Sequence, residues 1–331
     1  MATEETTPIL VADIGGTHAR FALADRTGSL ESLTAPLVLE TEDFASFADA
    51  VQEALDETGR PDIRAAAVCG AGPVISGPLG NIIDMTNCPW QLTELDLVAK
   101  LGTEQVRLVN DFAAIAHALP LLGPDDVHQV GGGTPDPDGP KGVVGAGTGL
   151  GVAGLVPDGH GGFALVDGEG GHADIAPSNA RELAIFERLL FRFGEVTAET
   201  ILSGSGLEAL HDALCEIDGR DCEPVSAAEI AARAATGGES TSTEVVECFA
   251  GWLGAAAANT ALMLGATGGV YIAGGIVPRW GGLFDARRFR ERFEGRGKMS
   301  GYMEAIPTYI VTAPDPALRG LAKIAAGLYP A

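Results

Sequence analysis

Four short stretches hold the residues whose types and spacing suit chemistry. The first is Ala12-Asp13-Ile14-Gly15-Gly16-Thr17, inside "ILVADIGGTHARFALAD". Two glycines let a turn bring backbone N–H groups close to a phosphate. An acid beside them suits hydrated Mg²⁺, a hard ion that takes few carboxylates together with waters and phosphates. The same residues also suit a plain hairpin turn, and this stretch alone leaves both readings open. It is not a P-loop, which needs GxxxxGK[ST] and a following helix. Nor is it a dinucleotide fingerprint, because "HARFALAD" alternates like a strand where that motif opens a helix.

The second stretch is Asn110-Asp111 in "RLVNDFAA", between a strand and a helical run. Ligands of open α/β sheets gather at the carboxyl ends of strands. A carboxylate there can take a proton from a substrate hydroxyl during phosphoryl transfer, and the amide can bond a neighbouring hydroxyl. The alternative is that Asp111 merely caps the following helix. The third is Gly147-Thr148-Gly149 in "VGAGTGLGVAG", again a glycine turn between strands and a second set of N–H donors for phosphate. The fourth is "DGEGGHADIAP", with Glu169 and His172. Gly170 and Gly171 argue against a helical ExxH metal pair. A loop offering one carboxylate and one imidazole suits a hydroxyl-rich ligand, or it is an exposed loop with incidental polar residues. Glu199, soon after Thr197, reads by itself as an early helix residue. Gly274 and Gly275 in "IAGGIVP" end a strand, either facing an adenine or ribose or simply turning the chain.

The elements that must position these residues alternate. "PILVADIGG", "ARFALAD" and "APLVLE" read as three strands. "DFASFADAVQEALDETG" then reads as a helix with Phe44, Phe47, Val51 and Leu55 on one face and Asp43 at its start. "DIRAAAVCGAG" is a strand, "LTELDLVAKLG" a helix, "QVRLVND" a strand and "FAAIAHALPLL" a helix. This order predicts a mixed sheet, with hairpin-linked strands at one edge followed by crossover units. The Gly-, Pro- and Asp-rich segment 123–142 marks a boundary. Beyond it the strand, Gly-Thr turn and strand recur, which predicts duplicated topology. "DPALRGLAKIAAGLY" reads as a closing helix with Asp315 as its cap.

Composition narrows the function classes. At 331 residues two domains are expected, and a net charge of −24 argues against a general binder of nucleic acid or anionic membrane. The five cysteines form no CxxC pair, zinc spacing or disulfide framework, which suits a reducing cytoplasm. Acids stand near the N-terminus where a signal peptide carries bases, so no export is expected. The stretch Cys248–Pro278 has no charge and is long enough to span a membrane. Its Ala/Gly content, Asn259, Thr260 and the "GATGG" break instead predict a buried helix, a turn and a buried strand. Six basic residues between Arg287 and Lys298 read as a solvated helix face or a subunit contact.

Taken in order, "DIGGTHARFAL", "MTNCPW", "VNDFAA", "GAGTGLGVA", "GEGGHADIAP", "LSGSGL" and "GGVYIAGGIVPR" resemble the bacterial ATP-dependent glucokinase family, of the actin/hexokinase fold superfamily. The likeness runs through most of the chain. Each motif alone has low specificity; their order and spacing together have high specificity. The resemblance implies an α/β fold of two actin-like (ribonuclease H-like) domains with mixed sheets, duplicated topology and a ligand cleft between them. The domains would be 1–121 with 314–331, and 122–313. It implies transfer of the ATP γ-phosphoryl group to the 6-hydroxyl of glucose, the opening step of glycolysis, in a cytoplasmic homodimer. Asp111 would be the catalytic base, with Asn110, Glu169, His172 and Glu199 holding the sugar. Residues 12–17 would hold ATP phosphates, with Gly147, Thr148 and Gly149 opposite and Gly274 and Gly275 near the nucleoside. Asp13 would hold Mg²⁺ through water. The family commonly has Asn after "GGT", where this chain has His18. The cysteine-rich zinc signature of the repressor/kinase sugar group is absent, which points to the other branch. No helix-turn-helix segment precedes residue 9, which argues against a DNA-binding regulator. A kinase for another hexose, a sugar sensor without catalysis and an actin-like ATPase are the alternatives.

Overall fold

The alternation in "ILVADI" and "HARFALA" resolves as an antiparallel hairpin of β1 (Ile9–Ile14) and β2 (His18–Ala24), with Asp13 opposite Arg20 and Ile14 opposite Ala19. Our computed structural model describes residues 8–328 except 79, 86, 87, 222, 238 and 239. The expectations for the first seven residues, for Cys222 and for the Thr86-Asn87 centre of "MTNCPW" lie outside the described residues. The chain divides into two units, one ending at Leu122 and resuming at Ala313, the other Gly123–Thr312.

In the first unit β3 (Leu37–Glu40) extends the hairpin, and a 3-10 turn, Thr41–Asp43, follows it. Helix α1 (Phe47–Glu57) buries Phe47, Ala50, Val51, Ala54 and Leu55. Its cap is Ser46, whose hydroxyl accepts from the Asp49 N–H at 3.3 Å, and not Asp43 as expected. The reason is local: Thr41 bonds the carbonyls of Gly16 and Thr17, which tethers the preceding turn to the hairpin and leaves Phe44 extended before the helix. On the other side of β1 lies the parallel strand β4 (Ala65–Gly70). A small antiparallel sheet follows, made of β5 (Val74–Gly77), β6 (Gly80–Asp84) and β7 (Gln91–Thr93), which the sequence reading did not assign. Helix α2 (Glu94–Leu101) leads to β8 (Val106–Asn110), parallel to β4, and α3 (Asp111–Ala118) begins at once. The main sheet has the order β3-β2-β1-β4-β8.

The second unit repeats this winding. After β9 (Val127–Val130), strands β10 (Lys141–Ala146), β11 (Leu150–Pro157) and β12 (Phe163–Gly168) form an antiparallel meander. Five helices follow: α4 (Ala180–Phe193), α5 (Ala198–Ile201), α6 (Gly204–Ile217), α7 (Ala227–Ala235) and α8 (Ser240–Leu264). Strand β13 (Val270–Ala273) then runs parallel to β10. After α9 (Val277–Trp280), α10 (Ala286–Glu294) and α11 (Ser300–Glu304), strand β14 (Thr308–Val311) runs parallel to β13. The order is β12-β11-β10-β13-β14-β9, so meander and parallel strands occupy the same relative places as in the first sheet.

Helix α8 is long and apolar enough by length and composition to cross a membrane, yet most of its side chains are buried in the core of the second unit. The uncharged stretch therefore resolves as the expected buried helix, turn and buried strand. The arginine-rich segment resolves as a solvated face only at Arg287 and Lys298; the others turn inward. Arg290 is 6 % exposed and donates to the Ile306 carbonyl at 3.0 Å and to Thr308 Oγ1 at 3.1 Å. Arg292 donates to the Ala176 carbonyl and Arg296 to that of Ala255. The Arg290 guanidinium lies over the Phe293 ring while these heads satisfy backbone carbonyls, that of Ile306 buried. Cys215 is disulfide-bonded, which departs from the reading of the cysteines as unpaired, whereas Cys69, Cys88 and Cys248 are free.

The chain then returns to the first unit as α12 (Pro316–Ala326), which packs on α3. Asp315 occupies its cap position, but its side chain makes no capping bond; it faces Arg20 at 3.7 Å, with its backbone in the left-handed region at φ 44°. Gly320 is where the two helices touch. A Cβ there would overlap the Ala114 carbonyl oxygen and come within 3.0 Å of the Ala118 nitrogen. Gly320→Ala should therefore destabilise the protein by about 1–3 kcal/mol, as overpacking does. Urea unfolding followed by tryptophan fluorescence measures this, and an unchanged midpoint would contradict the proposed contact.

Candidate active site

Parallel pairing sets Asp13 beside Cys69 and Cys69 beside Val109, then Ile14 beside Gly70 and Gly70 beside Asn110. Strands β1, β4 and β8 thus end together, and Asp13, Asn110 and Asp111 lie at one edge of the first sheet. The Asn110 side chain is fixed at both ends: Oδ1 accepts from the Phe112 N–H at 2.8 Å and Nδ2 donates to the Gly72 carbonyl at 3.2 Å. Asn110 is therefore the cap of α3. Asp111 stands at the first helical position with Oδ1 2.9 Å from the same N–H. A carboxylate in the first turn of a helix is favoured by the helix dipole.

Asp13 is the other acid of this edge. The Cys69 thiol donates to its Oδ1 at 3.4 Å. Burial raises the Asp13 carboxyl above its ordinary value; the Cys69 bond and the Arg20 guanidinium oppose this, and Asp315 adds to it. Burial, then the charges of Asp13 and Asp111, push the Cys69 thiol well up, so it stays a neutral donor. The turn after Asp13 is a tight one. Gly15 N–H donates to the His18 carbonyl at 2.9 Å, and Thr41 holds the Gly16 and Thr17 carbonyls, each at 2.8 Å. The His18 side chain reaches across to Glu40 on β3, with which it is in register, at 3.2 Å.

The second unit assembles the other expected residues. Gly147, Thr148 and Gly149 join β10 to β11, with Gly147 N–H donating to the Gly149 carbonyl at 2.8 Å and Gly204 N–H to the Gly147 carbonyl at 2.9 Å. Beside the base of this hairpin, Gly274 has φ 82°, and a Cβ on it would overlap the Ala146 carbonyl. Ile276 N–H donates to that same carbonyl, which places Gly274 and Gly275 against the hairpin. Glu169 precedes and His172 ends a single 3-10 turn, Gly170–His172, too short for a helical metal pair. Glu199 lies in the first turn of α5, which Thr197 caps. His172 lies 3.9 Å from Glu169 and 3.7 Å from Glu199, and Glu199 Oε2 accepts from the Leu150 N–H at 2.8 Å. Among the described residues no group of three or more His, Cys, Asp and Glu side chains is arranged to hold a metal ion.

Sequence reasoning singled out Asp13 but not its neighbours Cys69 and Thr41. The signal for Cys69 was its place near the end of "AAAVCG", a strand that must lie next to β1. Thr41 carried no signal, since its role is set by pairing of distant segments.

Two mixed sheets with the same winding, each with a Gly-Thr turn in its first hairpin, define the actin-like α/β class to which sugar kinases belong. The family model described as Glucokinase matches residues 10–328. A glucokinase of Chromobacterium violaceum is 44 % identical over 318 residues, 96 % of this chain and 89 % of the relative. The crystal structure of a glucokinase from an Antarctic psychrotroph superposes with a TM-score of 0.84 at 32 % identity, covering 98 % of this chain and all of that one. A Balamuthia mandrillaris glucokinase in complex with glucose shares the fold, with a TM-score of 0.80 at 23 % identity, covering 98 % and 95 % of the two chains. The chain belongs to the glucokinase family.

Thiol chemistry checks the surroundings of Asp13. Cys69 and Cys248 are buried, and burial raises both, Cys248 to about 12. Cys88 is partly exposed. Iodoacetamide on the native protein at pH 8 should alkylate Cys88 first, because thiolate and access are both required. Peptide mass spectrometry reads the order, and early modification of Cys69 would contradict its buried place beside Asp13.

Proposed function

We propose that the chain is an ATP-dependent hexose kinase that transfers the γ-phosphoryl group of ATP to the 6-hydroxyl of glucose, giving glucose 6-phosphate and ADP. The observation that carries this reading is the glucokinase family match over residues 10–328. Asp111, at the end of β8 and the start of α3, is the base: it orients the attacking hydroxyl and accepts its proton. Asn110, held by its two hydrogen bonds, offers its remaining capacity to a neighbouring hydroxyl. From the second unit Glu169 and Glu199 accept from other sugar hydroxyls, and His172 donates or accepts beside them.

For ATP, the turn of residues 12–17 and the turn of Gly147, Thr148 and Gly149 face phosphate oxygens through backbone N–H groups other than those of Gly15 and Gly147, which close the two turns. Gly274 and Gly275 leave room for the nucleoside. Asp13 fits a hydrated Mg²⁺ held through water, since it offers one carboxylate at a strand end without a cage of ligands. That ion, when bound, supplies charge neutralisation across the phosphates. Water is a nucleophile of similar reactivity, so sugar-dependent ordering of the site is what restrains ATP hydrolysis. Cytoplasmic placement and entry of the product into glycolysis belong to the same reading.

Asp111→Asn should lower kcat by about 10²–10⁴-fold, the range for a positioned base, while glucose affinity by calorimetry stays near wild type. Near-normal turnover would remove Asp111 from the role of base. ADP release with glucose, mannose, fructose, N-acetylglucosamine and no sugar tests the substrate. Release without sugar would favour an ATPase, none with any sugar would favour a sensor, and a preference among sugars names the hexose.

We also infer a homodimer, with α4 as its contact. Phe191 is 90 % exposed, and Leu183, Leu190 and Phe193 are each about half exposed on the same helix. A chain of net charge −24 repels a second copy over most of its surface. Around helix α4 the acids Asp212, Glu216, Asp218 and Glu244 are paired by Arg192 and Arg181, so apolar faces can approach there. The arginines of α10 are largely turned inward and leave that helix a poorer contact. Sedimentation should show a dimer for the wild type and a monomer for Phe191→Glu; a dimeric variant would move the interface elsewhere.

A further inference from the structure

Glu199 holds more than its expected place among the sugar residues. Its Oε2 accepts at 2.8 Å from the N–H of Leu150, the residue that leaves the Gly147-Thr148-Gly149 hairpin. Its Oε1 lies 3.7 Å from His172 Nε2, too far to saturate that oxygen. Gly149 stands directly against this carboxylate: a Cβ there would overlap Oε2 and lie 3.2 Å from the carboxyl carbon. On another side, Gly171, in the turn between Glu169 and His172, leaves no room for a Cβ against the Leu150 carbonyl oxygen. Neither glycine has a positive φ, so space and not backbone conformation calls for glycine at both positions. The hairpin is thus clamped through Leu150 by the two segments that carry the sugar residues. An isolated bridge between Val152 and Glu169 continues the same contact along β11.

We propose that Glu199 is a positioning residue for the nucleotide hairpin as well as a sugar ligand, so that sugar and ATP binding are coupled through one carboxylate. This rests on the sugar and nucleotide roles given above. A sugar hydroxyl bonded to Oε1 fixes the carboxylate plane and, through Oε2, the Leu150 N–H and the hairpin before it. The cost of fixing this side chain is met by whichever ligand binds first, and the second then meets a contact already fixed. Linkage makes the effect reciprocal: the factor by which glucose tightens nucleotide equals the factor by which nucleotide tightens glucose.

The test measures binding of MgAMPPNP with and without saturating glucose, and of glucose with and without MgAMPPNP, by calorimetry. It compares the wild type with Glu199→Gln and Gly149→Ala, each checked for native thermal unfolding. In the wild type each ligand should tighten the other by on the order of tenfold. Glu199→Gln keeps an amide oxygen for the Leu150 N–H but loses the charge. It should weaken glucose, leave MgAMPPNP alone unchanged and cut the coupling factor toward one. Gly149→Ala pushes the carboxylate aside and should weaken both ligands and remove the coupling, although residue 149 is expected to touch only the nucleotide. Weaker glucose binding with wild-type coupling in both variants would overturn the proposal and leave the sugar reading standing. Unchanged glucose affinity in Glu199→Gln would overturn the sugar role of Glu199 and the proposal with it.

Discussion

The register of β1, β4 and β8 is the constraint on which the first unit depends. Three parallel strands that end level bring Asp13, Gly70 and Asn110 to one edge, although they are far apart in sequence. No long loop is needed, and α3 starts at the next residue, so Asp111 inherits its place from backbone geometry. The sheet is thin-walled enough to allow this: Ala65, Ala66 and Ala67 are fully buried in β4, and Gly320 lets α12 lie close on α3. A partly buried Asp13 costs solvation, which a thiol donor and a guanidinium across the hairpin partly offset.

The second unit uses the same winding to different effect. Its β10 and β13 run into Gly147 and Gly274, and the polar groups come from the 3-10 turn after β12 and from α5. Those two segments meet at the first residues of β11, where Gly149 and Gly171 admit them. Duplication thus supplied two frames, and local substitutions gave each a separate set of contacts.

Much of this was legible before the structure. Alternation in "ILVADI" and "HARFALA", the glycine turns, the buried character of α8 and the placement of Asn110 and Asp111 all follow from patterns within a few residues. What stayed hidden depends on distant segments. Ser46 displaces Asp43 as a cap because Thr41 is tied to the hairpin. Asp315 turns from its helix to Arg20. Arg290, Arg292 and Arg296 read as solvated because nothing in their spacing reveals the carbonyls of Ile306, Ala176 and Ala255. Glu199 was the extreme case: its residues carry no signal, the family resemblance alone pointed to it, and only folding sets it against Leu150. The small sheet β5-β6-β7 was missed because its strands are only three to five residues long.

The return of α12 to the first unit also orders events in time. Its residues are made after all of Gly123–Thr312, so the helix that begins at Asp111 waits for its packing partner until the second unit has been synthesised. The second unit, continuous in sequence, has no such delay. A nascent chain can therefore assemble the hairpin beside Glu199 before α12 arrives to brace the helix that begins at Asp111.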